Sequence, residues 1–252
     1  MDESDSPQKV ALVSGSNRGI GLAVVRRLVA DGFTVLAGVR HPDSDSSALL
    51  QNIATNSLGA LKIVSVDLSN ADVAVKSAKE IVQEFPRIDV LVNNAGVAAG
   101  GLFQMTSIPA LRDVFEVNFF ATMAFTQVIV RRMMRLTDSA IVNIASTAAM
   151  NGDTGTFSYG TSKAALIYAT SVMARELGAH GIRVNAVAPT VTDTDMAGEM
   201  DSDSRERLIS GGIIKRPATP DEIADVVSFL AGPNSSMIVG QVIKVDGGQR
   251  GR

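Results

Sequence analysis

Tyr159 and Lys163 stand four residues apart in the stretch YGTSK, a spacing that sets both on one face of a helix. A free tyrosine titrates at about pH 10, too high for easy proton exchange with an alcohol or ketone in neutral solution. An ammonium close by favours the phenolate and brings that value down. The pair can then act as general acid toward a carbonyl oxygen and as general base toward an alcohol. The plainer reading is a part-buried ring and a solvated charge, and the pair alone does not choose between the two. Ser146, in NIAST, precedes the tyrosine by thirteen residues.

A second cluster offers a seat for a phosphate-bearing ligand. SGSNRGIG places Gly15, Gly19 and Gly21 after a strand-like run and at the head of a helix-like one, with Ser16, Asn17, Arg18 and Ile20 between and beside them. The spacing is G-x-x-x-G-x-G. It meets the needs of a dinucleotide site: a tight turn, close approach of backbone to a pyrophosphate, and a helix N-terminus aimed at negative charge. A plain turn between strand and helix is the alternative. The second strand ends in LAGVRHP, with Arg40 and no acid, while Arg18 stands in the glycine turn itself. Two guanidiniums suit a 2′-phosphate, which predicts NADP over NAD. Asp67, followed by Leu68, can accept from an adenine amino group or cap the next helix. Asn94, Ala95 and Gly96 of NNAG are small, as a backbone passing under a flat ligand requires.

The elements that must position these residues alternate along the chain. Residues 10–15, 33–39, 61–67, 88–96, 139–146, 182–189 and 241–248 read as strands. Helix-period stretches lie between them, among them 19–32, a segment ending near Phe85, about 109–135, 157–179 and 220–232. The alternation predicts an α/β fold: one Rossmann-like domain over 9–252, with a doubly wound parallel sheet of about seven strands and helices on both faces. Its ligand crevice lies at the carboxyl ends of the strands. Residues 1–8 are expected to be a flexible tail. The unpatterned stretch 190–212 follows a strand end and is expected to be a substrate loop.

Composition agrees with one large core. Hydrophobic residues make up 46% of the 252, as a parallel sheet buried on both faces requires. The net charge of −3 gives no field that draws nucleic acid. The absence of cysteine excludes disulfides and thiolate chemistry. His41 and His180 lack ligand spacing, so no metal is expected. No run approaches the roughly 20 consecutive apolar residues of a membrane span, and the acidic start lacks a signal segment. A cytoplasmic protein with no membrane or nucleic-acid partner is expected.

Taken together, SGSNRGIG, NNAG, Ser146, and Tyr159 four residues before Lys163 resemble the short-chain dehydrogenase/reductase family, from about Lys9 to Gly248. The resemblance implies hydride transfer between a nicotinamide dinucleotide and a carbonyl or hydroxyl carbon. Tyr159 is then the acid and base, Ser146 holds the carbonyl oxygen, and Lys163 lowers the tyrosine and grips the ribose hydroxyls. Asn118, from FEVNFF, completes a proton relay through water. Pro189, Val191 and Thr194 match the segment that meets the nicotinamide carboxamide, with Thr190 where glycine is usual. Ala148, Met150, Phe157, Met196 and Met200 form the expected substrate lining, with Arg205 and Arg207 able to turn inward. Such a lining suits a neutral ketone, a β-keto ester or an acyl chain. Within the family the resemblance is to NADP-preferring members close to carbonyl reductases and 3-oxoacyl-[acyl-carrier-protein] reductases. In the latter, arginines placed like Arg131 and Arg175 dock an acidic acyl carrier protein. The family's common assembly is a homotetramer. A non-catalytic NADP-binding regulator is the reading of another class, and the intact Asn118, Ser146, Tyr159 and Lys163 set argues against it.

Overall fold

Short aliphatic runs become strands and the amphipathic stretches between them become helices. The computed structural model describes residues 8–42, 48–51, 53, 58–198 and 200–249. In chain order it places β1 (Val10–Ser14), α1 (Gly19–Ala30), β2 (Thr34–Val39), α2 (Ala48–Gln51), β3 (Ala60–Ser65), α3 (Ala71–Glu84) and β4 (Val90–Asn93). There follow α4 (Ile108–Phe115), a π-helical turn (Glu116–Ala121), α5 (Thr122–Met133), β5 (Ser139–Ile144), α6 (Ala148–Asn151), α7 (Phe157–Leu177) and β6 (Ile182–Pro189). The chain then forms α8 (Asp195–Gly198), α9 (Ser202–Ser210), α10 (Pro220–Ala231) and β7 (Val242–Val245).

The seven strands make one parallel sheet in the order β3-β2-β1-β4-β5-β6-β7. The order reverses direction between β1 and β4, which opens a crevice at their carboxyl ends. Register is set by burial on both faces. Val90, Val92, Ala140 and Val142 face the layer of α1 and α10, while Leu91 and Ile141 face α3, α5 and α7. Each fully buried aliphatic side chain of this kind stabilises the fold by about 1.5–3 kcal/mol relative to exposure.

The helices begin where their caps say they should. Asn70 accepts from Val73 N–H to start α3. Thr219 and Glu222 form a reciprocal capping box on α10. The forked contact from Arg216, joined by the Thr219 N–H, holds the Glu222 carboxyl down at about 2.

Several expectations need correction. The stretch 190–212 is not a bare loop, since it holds α8 and α9. The sequence SDSRERLIS has no apolar stripe, and α9 is started instead by Asp201, which accepts from Ser204 N–H. Of the expected tail, residues 1–7 lie outside the described residues, and Gln8 is bonded to Gly32 O. The helical region 108–133 is long and apolar enough to cross a membrane, yet its Phe125, Ile129 and Met133 are fully buried against the sheet. The long helical region is also not α-helical throughout, because a π turn around Asn118 adds a residue to the winding. Thr122 Oγ1 donates to Val117 O within it.

Candidate active site

α7 carries Tyr159 and Lys163, and the segment just past β5 carries Ser146. Packing of α6 and α7 brings these parts together. Ser146 stands beside the Tyr159 hydroxyl, and its Oγ accepts from Ala148 N–H at 3.2 Å. Lys163 is buried beneath, with Nζ 5.9 Å from the centre of the tyrosine ring. Its Nζ donates to Ile144 O at 2.8 Å. Burial alone pushes the Lys163 ammonium down to about 8. Burial also pushes the Tyr159 phenol up, opposed by the polar Ser146 beside its hydroxyl. The expected lowering of the phenol by Lys163 is not seen here: burial dominates Tyr159, and only Ser146 works against it.

Asn118 joins three parts of the site. Its Oδ1 accepts from Val97 N–H at 2.8 Å, and its Nδ2 donates to Val97 O at 2.9 Å and Ser162 Oγ at 3.0 Å. Ser162 Oγ in turn donates to Tyr159 O. The side chain is therefore committed to holding the loop after β4 against α7, and it does not line the cavity. Gly96 is small for a visible reason: a Cβ there would lie 3.0 Å from Asn118 Oδ1 and 3.3 Å from Lys163 Nζ.

The glycine turn between β1 and α1 forms the other end of the site. Gly15 and Gly19 have φ of +68° and +52°, the left-handed region that favours glycine. Gly21 is required by closeness instead, since a Cβ there would sit 2.0 Å from Gly15 O. Asn94 ties the turn down, with Nδ2 donating to Ser14 O and Gly15 O, each at 3.0 Å. The Ser14 hydroxyl, not singled out from the sequence, accepts from the Asn94 and Ala95 N–H groups. Gly15, Asn17, Arg18, Gly19, Ile20 and Gly21 line the cavity. Ser16 does not; it is fully buried, and its hydroxyl donates to Val13 O.

Arg18 and Arg40 both reach this cavity, and each has a carboxylate beside it. Arg18 lies 3.5 Å from Asp195 and Arg40 lies 3.6 Å from Asp67. Asp67 corrects two expectations. Its neighbours Val66 and Leu68 line the cavity and it does not. The cap of α3 is Asn70, while Asp67 accepts from Ser69 N–H and faces Arg40. Asn94, Ala95, Gly96, Pro189, Val191 and Thr194 all line the cavity as expected. The Thr194 methyl closes on the glycine turn, 3.0 Å from where a Gly19 Cβ would be. Thr190 keeps the path of the chain intact, because its N–H donates to Val245 O at 3.1 Å.

The lining residues named above surround one cavity of about 1470 Å³. On its substrate side Ala148, Met196 and Met200 are present, and Arg207 turns inward. Met150, Phe157 and Arg205 do not line it; Phe157 packs edge-on against Phe103 at 4.9 Å. The sequence reading missed the turn with Asn151, Asp153 and Thr154, and the facing segment 98–102. The signal was there in their glycines: Gly101 N–H donates to Gly155 O and joins the two walls. Arg131 and Arg175 are exposed on α5 and α7, outside the cavity.

Comparisons with known proteins find likeness along nearly the whole chain. A family model described as Enoyl-(Acyl carrier protein) reductase matches residues 15–250. The short-chain reductase protein NovJ of Streptomyces niveus is 36% identical over 251 residues, covering 97% of this chain and 95% of that protein. The 3-oxoacyl-[acyl-carrier-protein] reductase FabG of Thermotoga maritima is 34% identical over 240 residues, 95% of this chain and 97% of that one. A solved short chain dehydrogenase from Burkholderia cenocepacia, in complex with NADP, matches with a TM-score of 0.86 at 32% identity, covering 96% of this chain and 97% of that one.

Proposed function

The chain belongs to the short-chain dehydrogenase/reductase family and is an oxidoreductase of carbonyl and carbinol carbons; on that premise we propose that it reduces a ketone with NADPH, Tyr159 giving the proton. The observation that carries the reading is the meeting of Ser146, Tyr159 and Lys163 on the wall of one large cavity, with the ammonium buried under the ring. The residues fit the cofactor, since the closeness at Gly21 leaves room for backbone only. Gly15, Asn17, Gly19 and Ile20 would hold the pyrophosphate, Arg18 and Arg40 the 2′-phosphate, and Lys163 the ribose hydroxyls. NADPH, when bound, supplies the hydride.

The chain's own residues manage the oxygen and its proton. Ser146 donates a hydrogen bond to the carbonyl oxygen and stabilises the charge that develops there. Tyr159 passes its proton to that oxygen and becomes a phenolate, which the Lys163 ammonium and Ser146 then stabilise. In the oxidative direction Tyr159 is the base. Asn118 keeps the wall beside Lys163 in place.

A second reading narrows the substrate to a 3-oxoacyl thioester on an acyl carrier protein. The names of the curated relatives support it, as do Arg131 and Arg175, exposed for an acidic partner. We also take the enzyme to be a cytoplasmic homotetramer. Exposed Phe120 and Tyr168, on packed neighbouring elements, support self-association, which light scattering reads directly. The decisive experiment offers simple ketones, β-ketoacyl thioesters and an enoyl thioester with NADPH or NADH, following loss of reduced-nicotinamide absorbance. Turnover of ketones or β-ketoacyl thioesters with NADPH is expected. Tight NADPH binding without turnover of any substrate would leave the non-catalytic regulator instead.

A further inference from the structure

On the face of the sheet that carries α5 and α7, the apolar alternation of β4 and β5 breaks at the top. Leu91 and Ile141 are each followed two residues later by a buried asparagine, Asn93 and Asn143. The two are paired in register and bonded to each other, Asn93 Nδ2 donating to Asn143 Oδ1 at 2.8 Å. Asn93 Nδ2 also donates to Thr126 Oγ1 on α5. Asn143 Nδ2 donates to Thr170 Oγ1 on α7 at 2.8 Å. Each threonine passes its own proton one turn back along its helix, to Thr122 O and Leu166 O. A line of hydrogen bonds therefore crosses the molecule from α5 through two strands to α7.

An apolar pair of similar shape would fill the same space at little cost in stability. What the polar version adds is direction, because a hydrogen bond fixes distance and angle where aliphatic contacts slide. Thr170 shares the buried face of α7 with Lys163, two turns or about 10.5 Å along the axis. Lys163 Nζ is itself bonded to Ile144 O, on the residue after Asn143. β5 thus grips α7 at two points, and the chain leaving β5 carries Ser146.

We propose that Asn143 and Thr170 are positioning residues for the reaction: their bond sets the height and rotation of α7, and through it the place of Tyr159 and Lys163 against Ser146. The proposal rests on the reading of Tyr159 as proton donor. The test is steady-state kinetics of the full chain with NADPH and ethyl acetoacetate, a β-keto ester, for T170V, T170S, N143L/T170V and Y159F. T170V is expected to lower kcat tenfold or more with both KM values within twofold, since misplacement of about 1 Å can cost a hundredfold. T170S keeps the hydroxyl and is expected to restore kcat to within threefold of the parent. N143L/T170V leaves no orphaned amide at Thr170, and Asn93 Nδ2, losing Asn143, keeps Thr126 Oγ1, so its Tm is expected above that of T170V while kcat stays low. A kcat within twofold of the parent in T170V, or one that recovers with Tm in the double variant, overturns the proposal. Undiminished turnover in Y159F overturns the reading beneath it as well. An inactive Y159F beside a normal T170V removes only the positioning role.

Discussion

Gly21→Ala tests the phosphate cradle where it is tightest. The added methyl would meet Gly15 O at 2.0 Å and Asn94 Nδ2 at 2.5 Å. To reach the 3.4 Å where ordinary contact begins, the carbonyl must retreat by about 1.4 Å. It is not free to do so, because Asn94 holds it and the neighbouring Ser14 carbonyl together. Overpacking of this sort costs about 1–3 kcal/mol. Alanine recovers about 1 kcal/mol as the better helix former. A net loss near 1 kcal/mol lowers Tm by about 2–4 °C in a domain of this size. Gly178→Ala is the matched control, since its φ is −59° and no atom lies within 4 Å of the new methyl. There the substitution is expected to stabilise by about 0.4–1 kcal/mol. Thermal melts of both variants, with NADPH titration by fluorescence, read the result. A Gly21→Ala protein as stable as its parent and binding NADPH as well would refute the argument that the turn is closed by contact.

Other expectations concern the chemistry and its pH dependence. Tyr159→Phe should lower kcat by about 10²–10⁴-fold while the NADPH Kd measured by titration stays near that of the parent. Arg40→Ala should raise the KM for NADPH about tenfold or more, from loss of a charge-assisted hydrogen bond, and leave the KM for NADH unchanged; an equal change in both would sink the 2′-phosphate role. The Lys163 ammonium sits at about 8 when folded against 10.5 for the free group, so between those values the unfolded chain holds more protons. This residue therefore costs stability below pH 8, and the cost fades as pH rises toward 10.5. The Tm difference between the parent and Lys163→Met, measured across that window, should move in the parent's favour. Glu222 has the opposite sign: its contribution is full above 4.5 and is lost as pH falls toward 2, an acid-side weakening that Glu222→Gln should remove.

The strands, their order of appearance and the Ser146, Tyr159 and Lys163 set were legible because each rests on local pattern. Aliphatic runs of strand length can hardly do anything else in this composition, and four-residue spacing fixes a helix face. What escaped depends on neighbours distant in sequence. α9 is polar on every side, so no periodicity announced it. The π turn at Asn118 is a choice of hydrogen-bond winding that Val97 and Ser162 settle from outside. Phe157 and Met150 miss the cavity through the phase of their helices, which composition does not encode. Asp67 was assigned to a ligand or a cap, and Arg40 and the Ser69 N–H claim it instead.

The strand order leaves β3 and β7 as the two outer rims of the sheet. Each carries an exposed lysine, Lys62 and Lys244, while the five strands between them have none. A lysine on a rim strand must be stripped of water before another chain can add itself there, which is how natural sheets resist fibrous stacking. The sheet therefore carries a charged guard at both ends that disfavours its own elongation.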